Sequence, residues 1–217
     1  MAKEGGWGNE MDRMRIMETA EKYTYRTYAD LSDANTDTRY EVIDGDVYYM
    51  EASGASQAHQ KISGELFFQL KKFLDGKPCQ IFHAPFDVCL NAQGDDDRTT
   101  VQPDILVVCD ESKLDGKRCN GAPDLIIEIL SPSNSRYDKL IKFNTYRRAG
   151  VREYWIVDPE DTTTSVHVLE DGKYVVSVYG IVDPNDKPMP LNAFIGDKSI
   201  VPVHVLDGCE IDLKKVF

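Results

Sequence analysis

Apolar positions crowd most densely between Pro123 and Pro159, and their pattern there predicts strand, helix, strand. Leu125-Ile126-Ile127-Glu128-Ile129-Leu130 is an almost unbroken apolar run of strand length. Such a run suits a strand covered on both faces. Ser131-Pro132-Ser133 ends it, and Ser135 with Asp138 three residues later forms a capping-box pattern that opens a helix. Gly150 is placed to close that helix, as glycine does at C-termini. Tyr154-Trp155-Ile156-Val157 follows as a second buried strand, stopped by Asp158-Pro159. Short connections around one helix predict a right-handed βαβ unit.

A helix-period stripe occurs at Ile62, Leu66, Leu70 and Phe73, with Phe67 and Leu74 beside it, and predicts a long helix from Ser56 to Leu74. Arg39 to Met50 reads as a hairpin turned at Asp44-Gly45. Cys79 to Leu90 reads as one strand bent near Pro85, and Asn91 to Thr100 as a polar turn with Asp95-Asp96-Asp97 in solvent. In Val101 to Cys109 the two-residue alternation sets Asp104, Leu106 and Val108 on one face. Asp110 to Ala122 is a loop with room for a short helix. Ser165 to Leu169 and Tyr174 to Tyr179 flank an Asp171-Gly172 hairpin turn. A Pro-rich loop follows from Asp183 to Pro190, and Ile200 to Leu206 and Glu210 to Phe217 finish the chain at a sheet edge. Residues 1–35 read as a partly ordered leader, either loose or with a short helix from Met11 to Tyr23, and with a helical turn at Tyr28 to Leu31. Residues 36–217 read as one α/β (α+β) domain.

Charge changes this picture. The 217 residues carry a formal net charge of −12, so any grip on nucleic-acid phosphates must come from a local basic face. An acidic chain is compatible with a metal-dependent enzyme. No apolar run approaches a membrane span, and no signal-peptide core is visible. The five cysteines, without a CxxC pair, read as reduced thiols of a cytoplasmic protein.

Two acids stand where acids are expensive. Glu128 lies inside an apolar strand and Asp104 at the start of another. A buried carboxylate needs a partner. If the two strands are neighbours, the side chains come within about 5 Å, and two carboxylates that close favour a cation between them. Mg²⁺, with Mn²⁺ as the alternative, fits a site of few carboxylates and several waters.

The motifs around them carry a resemblance. Tyr40-Glu41-Val42-Ile43-Asp44-Gly45, His59-Gln60, Val101-Gln102-Pro103-Asp104, Glu128-Ile129-Leu130-Ser131-Pro132-Ser133, Asp138 with Lys142 and Tyr146, and Gly150 to Pro159 resemble, in order, the Uma-type restriction endonuclease family of the PD-(D/E)XK superfamily. The likeness runs from about Tyr40 to Pro159, with a weaker β tail. It implies a restriction-endonuclease-like mixed central sheet flanked by helices, with extra hairpins at both ends. It also implies metal-dependent endonuclease chemistry on nucleic acid, DNA first. By position Asp104 and Glu128 match the metal-binding acids. The superfamily lysine, two residues after the acid, is Leu130 here, and Lys142 matches the family's substitute. Its role would be water activation or stabilisation of transition-state charge, against an ordinary surface pair with Asp138. Glu41 is either a solvated or cross-strand-paired residue or at the mouth of the site. His59 is either a capping or surface histidine or a neutral imidazole that hydrogen-bonds a metal-bound water or a phosphate. Gln102 and Tyr146 have supporting positions, Tyr146 chiefly in packing. A homodimer is expected, since a double-strand cut needs two sites. The competing reading is a catalytically inactive nuclease-like binding module.

Overall fold

The apolar runs around Asp104 and Glu128 become neighbouring strands at the middle of a six-stranded sheet in the computed structural model. The structure describes residues 14–17, 22–34, 39–50, 56–131, 136–181 and 198–217. In chain order its elements are β1 (Met14–Met17), α1 (Tyr25–Ala34), β2 (Arg39–Ile43), β3 (Asp46–Met50), α2 (Gln57–Leu74), β4 (Gln80–His83), β5 (Val88–Cys89), β6 (Thr100–Val101) and β7 (Ile105–Val108). They continue with β8 (Cys119–Asn120), β9 (Leu125–Ile129), α3 (Arg136–Ala149), β10 (Glu153–Asp158), β11 (Thr163–Glu170), β12 (Lys173–Gly180), β13 (Ile200–Pro202), β14 (Glu210–Asp212) and α4 (Leu213–Val216).

The central sheet runs β12-β11-β10-β9-β7-β4 and is mixed, with β9 and β10 parallel around α3 and the other neighbours antiparallel. All five residues of β9 are buried, as an unbroken apolar run requires. One face of the sheet presents Ile105, Val107, Leu125, Ile127, Ile129, Trp155 and Val157 to α2 and to the small β13-β14 sheet. Helix α2 answers with Ile62, Leu66, Leu70 and Leu74, each burial contributing about 1.5–3 kcal/mol. The other face, with Leu106, Val108, Ile126 and Tyr154, meets Tyr146 of α3 and the residues Ile43, Val88, Leu90 and Val101 of a second sheet, ordered β1-β3-β2-β6-β5-β8. The candidate site lies on this second face. The hairpin turn is as read, with Asp44 and Gly45 both at positive φ.

Several expectations are corrected. The stretch from Met11 to Tyr23, read as a loose leader or a short helix, contains the strand β1, paired antiparallel with β3. The single strand from Cys79 to Leu90 is two, because the chain passes Pro85 and moves from the central sheet at β4 to the second sheet at β5. Asp97 is fully buried rather than in solvent, accepting the N–H groups of Asn91, Gln93 and Thr99. The C-terminal segments form their own two-stranded sheet against α2 rather than an edge of the main one. Cys79 and Cys109 are joined in a disulfide, so the reading of five reduced thiols fails. Thirty residues separate the two, and only the β4–β7 register brings them opposite each other. Cys89, Cys119 and Cys209 are buried free thiols. The Pro-rich loop, most of the leader and Ser135 lie outside the described residues. Among the described residues no helix is long and apolar enough to cross a membrane.

Candidate active site

Register carries Asp104 to Glu128. Ile105 pairs with Ile127 and Leu106 with Ile126, so one step outward Asp104 stands opposite Glu128. Both side chains leave the sheet on the face of Leu106 and Ile126, by the alternation of a strand. Asp104 is tied there by the Ile129 N–H, which donates to Oδ2 at 2.8 Å. The first turn of α2 supplies His59, whose N–H donates to the cap Ser56 Oγ and whose Nε2 lies 3.2 Å from Asp104 Oδ2. Ser56 is thus the cap, and the His59 ring reaches Asp104 from the helix's first turn.

Helix α3 brings the cation. Lys142 and Tyr146 are one turn apart on its inner face. Lys142 Nζ donates to Glu128 Oε1 at 3.0 Å and to Glu41 Oε1 at 2.9 Å. Tyr146 Oη donates to the same Glu128 oxygen at 2.6 Å, so this tyrosine both packs and holds the acid. Glu41 is 1% exposed, which excludes the solvated reading. It enters from β2 of the second sheet and also accepts the Gln102 N–H at 3.1 Å. The Asp138 side chain lies outside the described residues.

Behind Glu41 is a group that the sequence reading missed. Gln102 Nε2 donates to Asp87 Oδ1 at 2.9 Å and to Tyr28 Oη at 3.0 Å. Tyr25 and Tyr28 hydroxyls both donate to Asp87. The signal was present, since Asp87 interrupts an apolar stretch, Phe86 to Leu90, as Asp104 and Glu128 interrupt theirs. Asp124, the other Pro-Asp acid, stands just before β9, at the end of the strand away from Glu128. It accepts the Cys109 N–H and pairs with Arg152.

The electrostatics follow from burial and crowding. Burial pushes the Glu128 carboxyl up to about 7, with Asp104 and Glu41 adding to the rise and Lys142 opposing it. Burial also opposes charge on Asp104, yet His59, the Ile129 amide and Lys142 hold its carboxyl below the ordinary value. For Lys142 burial works against the ammonium, and Glu128 and Glu41 outweigh it, so its pKa is raised and the side chain stays cationic. Two carboxylates thus share one ammonium directly, and a third, Asp104, is stabilised by it from further off. All described hydrogen bonds of Asp104 fall on Oδ2 and those of Glu128 on Oε1. Among the described residues no hydrogen bond falls on Asp104 Oδ1 or Glu128 Oε2. An oxygen-only pair with surplus negative charge fits a hard divalent cation that keeps most of its waters. Among the described residues no cluster of three or more acid, His or Cys side chains is arranged to hold a metal, so the fit is through the two carboxylates.

Comparison with known proteins agrees with this architecture. A family model described as Uma2, "Putative restriction endonuclease", matches residues 24–198. An uncharacterized protein of Synechocystis sp. is 29% identical over 148 residues, covering 67% of this chain and 74% of that protein. A crystal structure of a "putative nuclease belonging to DUF820" from Anabaena variabilis superposes with a TM-score of 0.64 at 19% identity, over 90% of this chain and 97% of that one. The fold is accordingly restriction-endonuclease-like.

Proposed function

The chain belongs to the Uma2 family, and from that membership we propose that it is a metal-dependent endonuclease that hydrolyses phosphodiester bonds in DNA. The observation that carries the reading is the meeting of Asp104 and Glu128 across β7 and β9, beside a single ammonium that does not fully neutralise them. Asp104 and Glu128 would hold Mg²⁺, or Mn²⁺ in its place. Bound there, the cation supplies Lewis-acid charge and a water of lowered pKa.

The chain's own residues do the rest. Lys142 is locked as a cation by two carboxylates, which unfits it as a base. Its role is to stabilise charge that gathers on phosphate oxygens in the transition state. Tyr146 and Glu41 fix Lys142 and Glu128 relative to one another. His59 and the Ile129 amide fix the Asp104 carboxylate. Gln102 ties Glu41 to Asp87 and Tyr28, so a supporting network backs the cluster. A homodimer would supply two such centres for a double-strand cut. A DNA substrate puts the working compartment in the cytoplasm.

One observation favours the inactive binding module: Lys142 already bridges Glu41 and Glu128, as a purely structural ion pair would. Plasmid nicking separates the readings. The nuclease reading predicts conversion of supercoiled plasmid only with Mg²⁺ or Mn²⁺, lost in Asp104→Asn and in Glu128→Gln. No cutting with either metal, or cutting that survives both substitutions, overturns it.

A further inference from the structure

Strand β12 forms one edge of the central sheet, and its open side is unusually plain. The hydrogen-bond direction of each residue can be read from its end. Ile181 N–H donates inward, to Thr162 O, while Gly180 N–H donates outward, to Lys198 O. Alternation then turns the N–H and C=O groups of Tyr174, Val176 and Val178 outward. Among the described residues only Gly180, at the strand's end, is bridged on that side, by Lys198. Val175 and Val176, whose side chains leave opposite faces of the sheet, are 50% and 49% exposed.

Natural edges of this kind are blunted by charge, proline or a bulge. Tyr174-Val175-Val176-Ser177-Val178-Tyr179 contains no charge and no proline, and β12 pairs with β11 without a break. In a chain of net charge −12, a copy approaching another is repelled over most of its surface, and within β12 the six residues after Lys173 are a neutral exception.

We propose that β12 is a self-association edge, and that its partner is the same strand of a second copy, antiparallel about a two-fold axis at Val176. The register follows from the hydrogen-bond directions. Residues that pair must both face outward, so Val176 meets Val176 and Tyr174 meets Val178. Val175 then stands opposite Ser177. The Lys198 bridge at Gly180 and the turn at Gly172 mark the two limits of this ladder. The side-chain pairs it makes are aromatic with β-branched and β-branched with β-branched, both favourable across strands. Antiparallel pairing about a two-fold closes on itself, so it gives a dimer and no filament. An edge of this length buries less than a standard interface, so the dimer is weak, with dissociation in the micromolar range. This inference does not rest on the nuclease reading, and its test uses no cleavage.

Analytical ultracentrifugation of the full chain, up to roughly 100 µM to exceed that dissociation range, should show a reversible shift from the 24.5 kDa chain to twice that mass. Val176→Lys sets two like charges on the axis, and Val176→Pro removes an outward N–H without touching the β11 ladder. Each should remain at the mass of one chain, with unchanged circular dichroism. Phe68→Ser, at an exposed phenylalanine on α2, should leave the dimer intact. Hydrogen exchange on the natural chain gives a reading free of substitutions: the amides of Tyr174, Val176 and Val178 should gain protection as concentration rises. A monomer throughout overturns the proposal. So does a dimer that persists in both Val176 variants, open-ended association, or exchange at those amides that does not change with concentration.

Discussion

Lys142→Met tests the electrostatics of the site independently of any catalysis. The substitution keeps the length of the side chain and deletes the ammonium shared by Glu41 and Glu128. Both carboxylates are buried, at 1% and 8% exposure, so neither gains solvent in exchange. Removing one partner of a buried ion pair costs about 3–5 kcal/mol, because the remaining charge is left uncompensated. For a chain of this size that is a fall in Tm of roughly 6–20 °C. The loss should be largest near pH 8. It should shrink toward pH 5–6, where Glu128, raised to about 7 even with Lys142 present, takes a proton instead. Adding Glu41→Gln and Glu128→Gln to Lys142→Met should recover much of the loss, since the orphaned charges go with them. Thermal unfolding followed by circular dichroism at pH 5.5 and 8 is the assay. A cost below about 1 kcal/mol at pH 8, or one that does not depend on pH, would refute the reasoning.

Glu128→Gln alone should change the pH dependence of stability. A folded pKa of about 7 is above the ordinary 4.5, so stability tied to protonated Glu128 is complete below the ordinary value and lost as pH rises through 7. Denaturant titrations should show that decline in the natural chain and a flatter profile in the variant. Leu70→Ala, at a fully buried position on α2, should cost about 2–5 kcal/mol in urea unfolding. Thiol titration in denaturant should find three reactive cysteines without reductant and five after reduction, given the Cys79–Cys109 bond.

What could be read from the sequence was what local spacing encodes. β9, α3 and β10 follow from an apolar run, a C-terminal glycine and a second run, and the β2-β3 hairpin follows from Asp44-Gly45. Helix α2 follows from its stripe, with Leu74 rather than Phe73 completing the fully buried set. What escaped depends on partners distant in the chain. β1 is a strand because β3 offers it an edge, and nothing in four residues says so. Cys79 and Cys109 meet only through the β4–β7 register. At the site, the pairing of Asp104 with Glu128 was foreseeable from two acids in apolar strands. Glu41 was offered at the mouth of the site as one alternative, but its pairing with Lys142 was not foreseen, because it comes from a different sheet and finds Lys142 across 101 residues of sequence. Asp97 looked solvated in a run of three acids and is instead the acceptor around which its loop folds.

Asp104 and Glu128 are expected to share a divalent cation, and Mn²⁺ binding measured by electron paramagnetic resonance tests this directly. The natural chain should take up Mn²⁺ at a site that Mg²⁺ competes for, and Asp104→Asn and Glu128→Gln should each abolish it while the fold is retained. Mn²⁺ binding that is unchanged in both variants, or absent from the natural chain, would contradict the claim.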